Sequence, residues 1–132
     1  MIDVFEIKQE CESMQAELEC LIPDDVNAVI EHAKKLAVLM ARSGNLLATA
    51  KKLVRQKRTS EITETIIKIA KENYLAAKAQ NILCESIASE EIELSEWLNR
   101  INASFTHQIE LCRSIISKEK EEMRLSNYSN IK

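Results

Sequence analysis

The sequence contains a single glycine, Gly44, and a single proline, Pro23, among its 132 residues. Tight turns between β-strands depend on glycine, asparagine and aspartate, so a chain with one glycine has few such turns available. A fold of a few long α-helices joined by short, capped breaks needs neither glycine nor proline in quantity. The sequence therefore predicts an all-α protein.

The first predicted helix spans 3–21 and carries a narrow apolar seam. Asp3 followed by Glu6 has the spacing of a capping box at the helix start. The seam residues recur at alternating intervals of three and four, as along the contact line of a coiled coil. They are Val4, Ile7, Cys11, Met14, Leu18 and Leu21. We expect this seam to bind a second copy of the chain or a protein partner.

The second predicted helix spans 25–58 and begins after the break at Pro23. The segment around Gly44 could form a turn, but the heptad phase of the apolar residues continues through it, which favours an unbroken helix of about 50 Å. Ile30 and Ala37 widen its apolar face, so the helix should have neighbours on two sides. Because a compact domain of this size has a radius of gyration of only ~14 Å, we expect an elongated molecule or a core completed by oligomerisation.

Two further helices are predicted over 60–88 and 90–124, and residues 125–132 are expected to form a frayed polar tail. Neither glycine nor proline separates the two helices, so the sequence leaves open whether they form one continuous rod. The four helices together predict a single domain over 1–124. Its expected architecture is an elongated helical bundle, or a set of coiled-coil-like hairpins, completed by oligomerisation.

Charge is distributed unevenly along the chain. Residues 1–31 hold nine acids and one base, whereas the segment between Glu31 and Glu61 holds eight bases and no acid. The basic helix 34–58 can pair with the acidic first helix, or it can bind the phosphates of a nucleic acid. The candidate phosphate-binding residues are Lys51, Lys52, Arg55, Lys57 and Arg58.

The whole chain favours the first of these two interpretations without excluding the second. Its net charge is −3 and its pI is about 5.5, unlike the values typical of nucleic-acid-binding domains. No aromatic residue lies among the candidate bases to stack on a nucleobase. Nucleic-acid binding is therefore kept as an alternative, in which the affinity should fall steeply as the salt concentration rises.

No catalytic motif can be assembled from this sequence, so we predict a protein that is not an enzyme and that has no cofactor or bound metal. A chain with one glycine cannot form a phosphate-binding loop or a nucleophile elbow in the usual form. Glu-x-x-Glu pairs such as Glu90 and Glu93 could bind Mg²⁺, but most of these pairs lie in first helical turns, where acids are expected. The two histidines, His32 and His107, lack the neighbouring cysteine or histidine that a zinc site requires.

The four cysteines and the lack of targeting signals predict a cytoplasmic location. The cysteines include no CxxC pair, and we expect them to be free and buried in a reducing compartment. They are Cys11, Cys20, Cys84 and Cys112. No uncharged apolar stretch is long enough to span a membrane, and an acidic start replaces the basic region of a signal peptide. We therefore expect no membrane partner.

A polar strip on the fourth predicted helix is a candidate ligand-binding face. It contains Arg100, His107 and Arg113. These side chains could hold a small host molecule between protomers, in which case the protein would act as a sponge or an inhibitor. A solvated helix face is the simpler interpretation of the same residues.

The C-terminal part of the chain carries a recognisable pattern. It comprises Trp97-Leu98-Asn99-Arg100-Ile101-Asn102, His107-Gln108, Arg113-Ser114 and the charged segment 117–122. This pattern resembles small helical proteins of unknown function that are encoded by bacteriophages and related mobile elements. The resemblance implies a phage or prophage setting, the cytoplasm of the host cell as the location, and an accessory role such as assembly, replication-associated binding or interference with a host system. It implies no catalytic residue.

These observations together predict a non-catalytic helical protein that acts by binding. Its expected partners are further copies of itself, as a homo-oligomer, and a protein partner. Nucleic-acid binding and capture of a small host molecule are the two alternatives.

Overall fold

A computed structural model describes residues 2–130 of the chain. Within this range the protein is all-helical, with five α-helices and no strand, which confirms the prediction of an all-α protein. The helices are α1 (Val4–Leu18), α2 (Val26–Arg58), α3 (Glu61–Glu72), α4 (Ala77–Ile87) and α5 (Ser89–Asn130).

The first three helices begin where short polar side chains cap them. Asp3, Asp25 and Ser60 each accept a hydrogen bond from the backbone N–H three residues ahead, at 2.9, 3.0 and 3.4 Å. Each cap satisfies one of the backbone donors that a helix start leaves unpaired. These caps confirm the predicted starts of the first three helices, although α1 ends at Leu18 rather than at residue 21.

Helix α2 runs without interruption through Gly44, as the apolar phase predicted. Its 33 residues correspond to about 50 Å. Gly44 has no positive φ, and a Cβ built on it would meet only the Asn102 side-chain nitrogen of α5, at 3.7 Å. That separation is an ordinary van der Waals contact. Neither backbone conformation nor close packing therefore requires glycine at this position.

Gly44→Ala is expected to raise the free energy of unfolding by about 0.5–1 kcal/mol, because alanine restricts the unfolded chain and favours the helix. The measurement is urea denaturation followed by circular dichroism. Ala48→Gly, an exposed position one turn further along α2, is the matched control and should lower the stability by a similar amount. A destabilised Gly44→Ala would show that the contact with α5 needs the bare backbone.

The prediction of one continuous helix over 60–88 is wrong, because the chain turns at Tyr74. Asn73 ends α3, and Tyr74 adopts a φ of 55°. The N–H of Tyr74 bonds to the carbonyl of Lys71, and the N–H of Leu75 bonds to the carbonyl of Ala70, both at 3.0 Å. These two bonds form a Schellman motif, which closes a helix by satisfying its last carbonyls.

Two further helix boundaries bear on the sequence prediction. The first decides a question that the sequence left open, and the second contradicts the prediction. The third and fourth predicted helices do not form one rod, since Ala88 separates α4 from α5. Helix α5 continues to Asn130, so the predicted end at residue 124 is wrong and residues 125–130 are helical. Residues 131–132 of the predicted tail lie outside the described range. At 42 residues, α5 is about 63 Å long.

Helices α2 and α5 run antiparallel and form the main contact of the fold. Near one end, Lys57 Nζ lies 3.8 Å from Glu91 Oε1. Near the middle, Asn102 Nδ2 donates hydrogen bonds to the carbonyl of Met40 at 3.0 Å and to Ser43 Oγ at 2.9 Å. The polar side chain of Asn102 is thus satisfied between the two helices and fixes their register.

Helix α1 lies against one side of the α2–α5 pair. Arg42 donates two hydrogen bonds to the carboxylate of Glu10, at 2.7 and 2.8 Å, and Lys35 Nζ lies 2.9 Å from Glu17 Oε1. The acidic first helix therefore does pair with the basic second one. The three helices bury a common aliphatic core around one aromatic ring. It consists of Ile7, Cys11, Met14, Val29, Leu36, Leu46, Ala50, Leu94, Leu98, Ile101, Phe105 and Cys112.

Candidate binding groove

The apolar seam predicted on α1 is buried against other helices of the same chain. Ile7, Cys11 and Met14 are at most 3% exposed, and Val4 and Leu18 pack against the same core. The last predicted member, Leu21, lies beyond the helix and is 93% exposed. The apolar periodicity therefore identified a buried face, but the face contacts α2 and α5 rather than a second copy. The interpretation of this seam as a partner surface is corrected accordingly.

The candidate phosphate-binding residues occupy the last turns of α2, and all five are exposed. They are Lys51, Lys52, Arg55, Lys57 and Arg58. Within the described part of the chain, only Lys57 forms an ion pair, with Glu91. Lys51, Arg55 and Arg58 line one shallow surface depression, which also includes the carboxylate-bearing Glu96. Acids on α5 therefore border this basic end and lower its positive potential.

The residues of the predicted polar face do not come together. Arg100 and His107 are exposed and lie seven residues apart, which places them on the same face of α5. His107 Nδ1 lies 3.9 Å from Glu110 Oε2. Arg113 is six residues further on, so it points about 120° away around the helix. It instead lines a groove between α2 and α5.

This groove, the α2–α5 groove, is an open cavity of ≈ 400 Å³ formed by the first turns of α2 and the second half of α5. It is lined by Ile30, Ala33, Lys34, Ala37, Ile109, Arg113, Ile116, Ser117 and Lys120. Helix α1 contacts α2 through Lys35 and Arg42. Ala33 and Ala37 lie about half a turn from these residues on α2, so the groove is on the side that α1 leaves uncovered.

The groove combines an apolar floor with a cationic rim. Isoleucine and alanine side chains form the floor, and the rim carries Lys34, Arg113 and Lys120. No lining residue is acidic. Lys34 Nζ pairs with Glu31 at 3.2 Å, whereas Arg113 and Lys120 form no ion pair with any other described residue. The groove therefore offers apolar surface and two available cations to a ligand that carries negative charge.

Sequence reasoning missed this groove, although one signal pointed towards it. The second apolar side of α2, marked by Ile30 and Ala37, predicted a neighbour there. The pairing of this side with Ile109 and Ile116 depends on the antiparallel register of α2 and α5. Short-range sequence patterns do not predict how α2 and α5 are aligned.

The buried cysteines are not reactive thiolates. Burial, followed by the negative charges of Glu10 and Glu12, raises the pKa of Cys11 to about 11. Burial also raises the pKa of Cys112. Both side chains are therefore protonated at neutral pH and act as small apolar core residues. The expectation that all four cysteines are buried is corrected, because Cys20 is exposed and Cys84 is half-buried.

Residues 2–130 contain no group of three or more histidine, cysteine or carboxylate side chains positioned to hold a metal ion. In the same range, no helix combines the length and the apolar composition needed to cross a bilayer.

Comparison with known proteins does not assign a family. No protein-family model matches the chain, and neither the curated proteins nor the solved structures gave a match. The resemblance to phage-encoded helical proteins therefore stays a prediction.

Proposed function

We propose that this protein is a non-catalytic interaction protein, and that it receives a helix of its partner in the α2–α5 groove. The observation that carries the proposal is the open apolar floor between two helices, flanked by Arg113 and Lys120, which form no ion pair within residues 2–130. Grooves of this kind bind amphipathic helices, which place an apolar stripe on the floor. Carboxylates beside that stripe would meet the two cations.

The dimensions of the groove suit a helix better than a small molecule. Along α5 it extends over the twelve residues from Ile109 to Lys120, a rise of about 16 Å, which is three turns of a partner helix. It is open to solvent along this length, whereas small-molecule sites enclose most of the ligand surface. Capture of a small host molecule, with Arg113 as a contact, is the alternative occupant of the same groove.

Nucleic-acid binding has weaker support than protein binding. Its candidate residues at the end of α2 are exposed, but Lys57 is engaged by Glu91, and Glu96 lies beside Lys51 and Arg55. A helix end rich in bases also complements the helix dipole without any ligand. The proposed interaction role suits the accessory function and the host-cell cytoplasm that the phage resemblance implies.

The proposal is tested with two synthetic amphipathic helices of three heptads, identical except that one carries glutamate and the other lysine beside its apolar stripe. Fluorescence anisotropy should show binding of the acidic helix and not of the basic one. Arg113→Glu should weaken binding roughly tenfold, because a close ion pair becomes a like-charge contact. Arg100→Glu is the matched control, since Arg100 is an exposed cation on the same helix outside the groove. Equal effects of the two substitutions would exclude the groove as the site.

A further inference from the structure

Helix α5 extends beyond the part of the molecule that packs against it. The antiparallel register sets Lys57 beside Glu91 and Met40 beside Asn102. Continued along both helices, it brings the first residue of α2 level with about residue 120. Residues 121–130 therefore protrude by about 15 Å. Every side chain from 121 to 128 is exposed, which agrees with this register.

The protruding end leaves apolar side chains in solvent. Met123, Leu125 and Tyr128 are 57%, 53% and 66% exposed. Most helices in proteins are stabilised by packing rather than by intrinsic propensity. A few helical turns without packing contacts are only marginally stable in water. The protrusion starts directly beside the α2–α5 groove, whose last lining residue is Lys120.

The charges at the start of the protruding segment are complementary to those of the same segment in a second, antiparallel copy. Lys118, Glu119, Lys120 and Glu121 alternate in sign. If two copies of α5 pair in antiparallel fashion about a two-fold axis between residues 119 and 120, Lys118 lies level with Glu121 and Glu119 lies level with Lys120. Of these two pairs, only Glu119 and Lys120 lie on the face of α5 that carries Ile116. In this register Lys120 faces Glu119 of the other copy, twice by symmetry. Glu119 and Glu122 form no ion pair with the described residues of their own chain, so both are available.

The same register matches apolar groups of the groove. Ile116, on the groove floor, lies level with Met123 of the other copy, and both residues lie on the face of α5 that carries Glu119 and Lys120. Because a two-fold contact is isologous, each α5 end enters the groove of the other copy and both grooves are filled at once.

From this juxtaposition we infer that the helix received by the α2–α5 groove is the protruding end of α5 from a second copy of the chain, in a two-fold symmetric dimer. The inference rests on the proposed function, because it names the partner of the same groove. Glu119 of one copy neutralises Lys120 of the other, and Met123 covers Ile116.

The surface of the single chain is large enough for such a dimer. Its solvent-accessible area is 9277 Å². A compact monomer of 15.1 kDa is expected to expose only about 7,100 Å². The excess of about 2,200 Å² per chain exceeds the ≈ 800 Å² that each partner buries in a standard interface. An elongated monomer therefore has enough exposed surface for the α5 ends of two copies to pack side by side.

The test is the solution mass, measured by sedimentation and light scattering over a wide range of protein concentration at low and at moderate salt. The wild-type chain should form a dimer. Lys120→Glu and Glu119→Lys should each weaken it by roughly ten- to thirtyfold, since two attractive contacts become repulsive in both cases. Lys120→Glu combined with Glu119→Lys in one chain should restore the dimer, because the opposite charges still face each other.

A mixture of the two single variants separates this pairing from a general loss of structure. One single variant has acids at both positions and the other has bases at both, so the two together should form a mixed dimer more tightly than either variant dimerises alone. Arg100→Glu should leave the mass unchanged. A double variant that remains monomeric, or single variants that dimerise as the wild type does, would overturn the inference.

The outcomes also distinguish this inference from the proposed function. A wild-type chain that is monomeric at every concentration, but binds the acidic model helix, means that another protein occupies the groove. A wild-type dimer that the acidic model helix dissociates, with Arg113→Glu resisting that competition, supports both statements together. A chain that neither dimerises nor binds the model helix overturns both.

Discussion

Phe105→Ala is expected to lower the free energy of unfolding by about 3–5 kcal/mol. Phe105 is fully buried in α5 and is the largest side chain in the core. Its removal withdraws an aromatic ring from a core of otherwise aliphatic side chains and leaves a cavity that three long helices cannot easily close. Small domains have a total stability of about 5–15 kcal/mol, so the variant should lose a large part of it.

Urea denaturation monitored by circular dichroism measures this loss, and the chain supplies its own control. Phe5→Ala removes the same ring from a position that is 65% exposed, and it should change the stability by no more than about 0.5 kcal/mol. If the two variants lost similar amounts of stability, Phe105 would not occupy the centre of the core.

The helices could be predicted because their signals are local. A cap such as Asp3 or Asp25 acts within one turn, and the apolar period of α2 continued through Gly44 where an isolated glycine suggests a turn. Such signals depend only on residues that are close in sequence. The starts of three helices and the uninterrupted α2 were therefore predicted correctly.

Two of the wrong boundaries, the ends of α3 and α5, arose where local signals were weak or missing. Tyr74 adopts a positive φ that glycine or asparagine usually provides, so no residue type marked the end of α3. The polar segment beyond residue 124 predicts that α5 ends there, yet the helix continues to Asn130. A polar helix without a packed face has no apolar period by which to recognise it.

The candidate site could not be predicted because it depends on which helices pack together. The period of α1 correctly marked a face that is buried, but it did not show whether α5 of the same chain or another copy covers it. The α2–α5 groove likewise required the register fixed by Asn102 and Met40. That register shows that α5 extends beyond α1 and α2. The surface available to a partner is therefore the groove and the protruding end of α5, and not the seam of α1.

Met14→Asp is the second substitution with a large expected effect, and it distinguishes a core position from a partner surface. Met14 is 3% exposed and contacts the shared core of α1, α2 and α5. An aspartate there places a carboxylate among apolar side chains without a partner, which costs about 3–5 kcal/mol. The expected result at neutral pH is therefore a strongly destabilised monomer, seen as a lower urea midpoint, rather than a stable chain with an altered mass.

The pH dependence of the stability of Met14→Asp shows whether the buried carboxylate causes the destabilisation. Burial raises the pKa of the introduced carboxyl in the folded state above its unfolded value of about 3.9. The stability deficit relative to the wild type should therefore grow as the pH rises through the folded pKa and shrink towards acid pH, where the carboxyl is neutral in both states. Leu21→Asp, in the same predicted seam but 93% exposed, should show neither the deficit nor its pH dependence. If Met14→Asp instead kept its stability and changed only the mass, the seam of α1 would be an interface between copies and its packing within one chain would be wrong.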